Sequence, residues 1–154
     1  MVSQAGIDEI RRLAASFPRR ESALLPALWV IQREEGYLPE ESLRVVAREL
    51  SMEPSDVTSR ASFYTMFALR PRGQYVIQVC QSISCALVGA QQVIDHLRGR
   101  LGIEVGETTH DERFTLLTVE CLASCGSGPV MQINEDYFEH LTVERVDEIL
   151  DGLP

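Results

Sequence analysis

Four cysteines, and no others, are set in two tight pairs: Cys80-Gln-Ser-Ile-Ser-Cys85 and Cys121-Leu-Ala-Ser-Cys125. The spacing is C-x4-C, then 35 residues, then C-x3-C. Each pair follows an apolar, β-leaning run, Tyr75–Val79 before the first and Phe114–Val119 before the second. Two parallel strands ending side by side would carry four thiols to one end of a sheet, where ligands gather in open α/β folds. A parallel pair needs a crossover, and the apolar spacing of Leu87, Val88, Val93, Ile94 and Leu97 supplies a helix over Cys85–Arg100.

The 154 residues suffice for one ordinary domain, or a small one with a helical extension. An apolar share of 45% with 24% charged residues is that of a soluble globular protein. No apolar run approaches the roughly 18 residues of a membrane span, and Met-Val-Ser-Gln-Ala-Gly lacks the regions of a signal peptide. The expected location is the cytoplasm, where disulfides are rare. A net charge of −9, with acid and arginine interleaved, argues against duplex nucleic acid as a partner.

Residues 1–70 read as consecutive helices. Ile7, Ile10, Leu13, Ala14 and Phe17 form a first stripe that Pro18 closes. Ser22 is placed to cap a second helix, which Gly36 ends. Pro39 and Pro54 stand where first helical positions are expected, the fourth helix carrying Val57, Ala61, Tyr64 and Met66. Phe63, Tyr64, Met66 and Phe67 are either core or a face for a partner. Pro71-Arg72-Gly73 then marks a boundary, because the pattern beyond it is strand-like. A hairpin of Pro129–Ile133 and Tyr137–His140 around Asn134-Glu135-Asp136 follows, and Thr142 caps a last helix. Leu101–Val105 is a connection of undecided type. The expected class is α+β: a helical bundle over 1–70, then a thioredoxin-like α/β domain over 71–154.

Several occupants compete for four thiolates. Structural zinc prefers tighter knuckles, though two to four intervening residues are allowed. Disulfides or a free dithiol are disfavoured by compartment and by the absence of C-x-x-C. An iron–sulfur cluster accepts variable spacing, and either a [2Fe-2S] or a [4Fe-4S] cluster takes four ligands. Rieske-type ligation needs two histidines, and His96, His110 and His140 adjoin neither pair. A [2Fe-2S] centre with four thiolates carries −2, and −3 when reduced, so a dry site resists the added electron. Hydroxyls of Ser82, Ser84, Ser124 and Ser127 are placed to donate to sulfur, or serve simply as loop formers. No dinucleotide-binding glycine motif opens a helix, so hydride chemistry is left to a partner.

Val79-Cys80-x4-Cys85, Glu120-Cys121-Leu-x-x-Cys125 and Pro129-x-x-x-Ile133-Asn134 resemble the thioredoxin-like [2Fe-2S] subunit of bacterial NADH:quinone oxidoreductase, respiratory complex I. So do Ala61-Ser-Phe-Tyr64, Gly36-Tyr-Leu-Pro39, and Val105-Gly-Glu-Thr-Thr109 with Phe114-Thr-Leu. The resemblance implies one [2Fe-2S] cluster held by Cys80, Cys85, Cys121 and Cys125. It implies pairing with a subunit that binds NADH and FMN, and membership of a peripheral arm on the cytoplasmic side of the inner membrane. No catalysis is expected from the isolated chain. Ala123 stands where many relatives have glycine, and Gly128 where alanine is common. The equivalent subunit of an NAD-linked hydrogenase or formate dehydrogenase shares these motifs, and a zinc-stapled interaction module is the reading of another class.

Overall fold

A computed structural model describes residues 1–154 and divides them into two compact units, Met1–Pro71 and Arg72–Pro154. The first is all helix: α1 (Gln4–Ser16), α2 (Leu24–Glu35), α3 (Glu40–Leu50) and α4 (Pro54–Phe63). Ser3 caps α1, its hydroxyl accepting from the Gly6 N–H. Gly36 and Ser51 end α2 and α3 in left-handed conformations that return the chain. Ile10, Leu28, Ile31, Leu50 and Val57 are fully buried at the centre, as the helical spacing of these residues requires, and Leu38 of the α2–α3 connection is buried with them.

Three local expectations are corrected here. Ser22 caps nothing; it lies in a 3-10 turn, Arg20–Ala23, that feeds directly into α2. Pro39 is the residue before α3 rather than its first, whereas Pro54 does open α4. Tyr64 turns extended and ends α4, so Tyr64 and Met66 lie beyond the helix. The following segment is held to α2 by the Gln32 amide, which donates to the Met66 carbonyl at 2.9 Å and accepts from the Ala68 N–H at 2.7 Å. Phe67 is buried against Trp29, ring centroids 5.4 Å apart, while Phe63 and Met66 stay exposed. The aromatic run is thus split between core and surface.

The second unit is a four-stranded sheet, ordered β2-β1-β3-β4, from β1 (Tyr75–Cys80), β2 (Phe114–Val119), β3 (Met131–Ile133) and β4 (Asp136–Phe138). β1 and β2 are parallel, and β3 and β4 add antiparallel. Tyr75, Ile77 and Val79 alternate inward with Phe114 and Leu116, meeting α6 (Ala90–Leu101) and α7 (Val143–Asp151) through Val93, Leu97, Val146 and Leu150. His96 joins those helices, its Nε2 2.8 Å from Asp147 Oδ1. This is the expected α+β, thioredoxin-like layout.

The crossover differs from the single helix the spacing predicts. It breaks into α5 (Ile83–Leu87) and α6 at Gly89, whose φ of +105° only glycine adopts comfortably. The hairpin is also tighter than expected. Ile133 pairs with Asp136 across a two-residue turn, and Asn134 takes the positive φ such turns demand. Leu101–Val105 forms no strand. No helix is long and apolar enough to cross a membrane.

Candidate metal centre

Cys80 is the last residue of β1, and its register partner on β2 is Val119, so Glu120 and Cys121 continue just past the same end of the sheet. The Cys80 Sγ–H points to the Glu120 carbonyl oxygen at 3.8 Å. Gln81 fastens the two loops again: its N–H donates to the Val119 carbonyl, and its side-chain amide to Glu120 Oε1, each at 2.9 Å. The parallel pairing therefore brings both cysteine loops together.

A single turn of α5 brings the Cys85 thiol close to that of Cys80. Both residues are buried, in one small cluster with Ala90 against which Leu122 of the second loop packs. Burial pushes the Cys85 thiol up, and Cys80 adds to the effect; the Val130 N–H, directed at this sulfur, opposes it. Cys125 also raises it, which puts the second pair within electrostatic reach of the first.

Cys121 and Cys125 are exposed. The Ala123 N–H donates to Cys121 Sγ at 3.3 Å, with Ala123 itself left-handed at φ +59°. Cys125 opens a 3-10 turn, Cys125–Ser127, that leads to Gly128. A Cβ on Gly128 would stand 2.9 Å from Val88 Cγ2 and 3.5 Å from Cys85 Sγ, so the glycine lets this loop close over the first pair.

The serine hydroxyls do not take the expected role. Ser124 and Ser127 both donate to Glu139, and no hydroxyl reaches a sulfur. The donors at sulfur are main-chain N–H groups, of Ala123 and Val130, which carry no signature of residue type. Glu139 escapes a reading of the sequence for a similar reason: nothing there ties it to residues 124–127. Its carboxyl is held below the usual range by Ser124 first and Ser127 second. His96 is engaged with Asp147, and His110 and His140 are exposed, so none joins the cysteines.

A sequence model of the thioredoxin-like [2Fe-2S] ferredoxins matches residues 10–154. The chain belongs to that family. This ferredoxin is 44% identical to a subunit of the NADH-quinone oxidoreductase of Rhizobium meliloti, over 94% of its own length and 86% of the relative's. It is 39% identical to NADH-quinone oxidoreductase subunit 2 of Thermus thermophilus, over 95% and 82% of the two chains. It spans 58% of an NADH-quinone oxidoreductase subunit of Mycobacterium bovis, with 38% identity over 94% of its own length. The crystal structure of an NAD+-reducing [NiFe]-hydrogenase in the air-oxidized state shares the fold: TM-score 0.73 at 23% identity, over 86% of this chain and 24% of that one.

The residues fit the family's cluster. The donor set is all thiol, two N–H groups address sulfur, and Gly128 adds no side chain of its own beside Cys85.

Proposed function

We propose that the chain is the electron-transfer subunit of a bacterial NADH:quinone oxidoreductase. Cys80 and Cys85 would hold one iron of a [2Fe-2S] cluster, and Cys121 and Cys125 the other. The observation that carries the reading is 44% identity over 94% of the chain to a relative named as a subunit of that oxidoreductase. When bound, the cluster supplies a one-electron couple. The chain's own residues set its surroundings: Cys80 and Cys85 are desolvated, Cys121 and Cys125 reach the surface, and two main-chain donors offset the charge on sulfur.

The donor and acceptor of those electrons is the FMN of a partner subunit that binds NADH. Exposed Ile83, Leu87 and Val88 flank the first cysteine pair and suit an apolar rim that such a partner covers. Residues 71–154 form the cluster domain, and 1–70 a docking element within the peripheral arm, on the cytoplasmic side of the membrane. The equivalent subunit of an NAD-linked hydrogenase shares the cysteine motifs and is the second reading; the hydrogenase structure, at 23% identity, speaks for the fold alone.

Anaerobic purification of the full chain tests this. Two irons and two acid-labile sulfides per chain are expected, with an EPR signal of a reduced [2Fe-2S] centre after dithionite. A colourless, EPR-silent chain carrying one zinc overturns the electron-transfer reading and leaves a zinc-stapled interaction module.

A further inference from the structure

The turn that carries Cys125 is closed by the Ser127 N–H donating to the Ser124 carbonyl at 3.2 Å. The two hydroxyls flanking Cys125 converge on one oxygen, Glu139 Oε1: Ser127 at 2.6 Å, and Ser124 in closer contact. They also lie 2.8 Å from each other. The residues after Glu139 strap the same loop through the main chain. The His140 N–H donates to the Ser127 carbonyl at 2.7 Å, and the Leu141 N–H to the Pro129 carbonyl at 3.1 Å.

Hydrogen bonds to an ionised acceptor are shorter and roughly twice as strong as neutral ones. The two serines therefore spend their hydroxyls on the carboxylate rather than on sulfur or water. The same pair of bonds favours the ionised form of Glu139 and holds its carboxyl below the ordinary range.

We propose that Glu139 is a positioning residue of the cluster loop, its carboxylate clasping Ser124 and Ser127 so that Cys125 is fixed between them, and its charge standing beside the cluster. The inference rests on the proposed reading of Cys125 as a ligand. It has two separable consequences. The clasp slows departure of Cys125 from iron, and the fixed negative charge disfavours the added electron.

The full chain, isolated anaerobically with its cluster, is compared with Glu139→Ala and Glu139→Gln. Cluster loss is followed as the fall in visible absorption under excess EDTA, and the reduction potential by dye-mediated titration. Glu139→Ala is expected to lose the cluster about three- to tenfold faster. Its one-electron equilibrium shifts about three- to tenfold toward the reduced form, a rise of about 30 to 59 mV. Glu139→Gln keeps a carbonyl acceptor for both hydroxyls, so its loss rate stays within about twofold of wild type while it shares the rise in potential. The double variant Ser124→Ala/Ser127→Ala speeds cluster loss as Glu139→Ala does, with far-UV circular dichroism confirming the fold of each. Wild-type loss rate and potential in both Glu139 variants overturn the inference. A wild-type chain without iron instead overturns the reading beneath it.

Discussion

The thiol of Cys80 points at the main-chain carbonyl oxygen of Glu120 across 3.8 Å, so the two cysteine loops meet one residue before Cys121. That meeting is a consequence of register. Cys80 pairs with Val119 in a parallel ladder, and in a parallel pair both chains leave the sheet at the same end. The Gln81–Glu120 bond then ties together the residue after one proposed ligand and the residue before another.

From this follows an asymmetric outcome for substitutions. Cys80→Ala and Cys121→Ala each remove one arm of a pair and are expected to abolish the visible and EPR signals of the cluster. His110→Ala, in an exposed loop away from both pairs, leaves iron content at the wild-type value. Iron per chain, with the spectrum after dithionite, is the measurement. A full [2Fe-2S] spectrum in Cys121→Ala contradicts the ligand set.

The strands of the site were legible because Tyr75–Val79 and Phe114–Val119 are apolar, β-leaning runs and the parallel crossover rule leaves one place for the loops. The environment of the sulfurs was not. Its donors are the main-chain N–H groups of Ala123 and Val130, and every residue but proline has one. Serine spacing around Cys125 suggested hydroxyl donors to sulfur, but a competing acceptor twelve residues beyond Ser127 in the chain takes them. The crossover helix ran together in the sequence because Gly89 interrupts an otherwise continuous apolar stripe, and only its φ of +105° shows the break. In the first unit, the stripe of α1 was plain, while the end of α4 was hidden by an aromatic run that suits helix and core alike.

Two glycines separate a yielding neighbour from a rigid one. A methyl on Gly128 meets the end of the Val88 side chain at 2.9 Å, and Val88 is 55% exposed, so it can swing outward. A methyl on Gly73 meets main-chain atoms of Arg113 and Phe114 at 2.8 to 2.9 Å, which cannot move without disturbing the start of β2. Gly128→Ala is expected to lower stability by less than about 1 kcal/mol, and Val88→Ala in the same chain to remove the effect. Gly73→Ala is expected to lose about 1–3 kcal/mol, and shortening a neighbouring side chain does not restore it. Urea titrations of the single variants and the Gly128→Ala/Val88→Ala pair check both statements.

Arg11 of α1 grips Glu49 of α3 with two bonds, Nε to Oε2 at 2.9 Å and a terminal guanidinium nitrogen to Oε1 at 3.1 Å. The Glu49 side chain is only 11% exposed, so its carboxylate depends on that fork for satisfaction. The Arg11 hydrogen bond is the chief cause that holds the Glu49 carboxyl below its ordinary value, against the opposing push of burial. Because the folded-state pKa lies below the unfolded one, the stabilisation is complete at neutral pH and is lost as pH falls through the folded value. Arg11→Ala is therefore expected to lower Tm at pH 7 by about 1–3 °C. The gap between wild type and variant narrows as the pH falls below the ordinary carboxylate range and through the lowered value of the paired Glu49. Thermal melts of the full chain at pH 7, 5 and 3 read this directly, and a gap that stays the same down to pH 3 assigns the α1–α3 contact to packing alone.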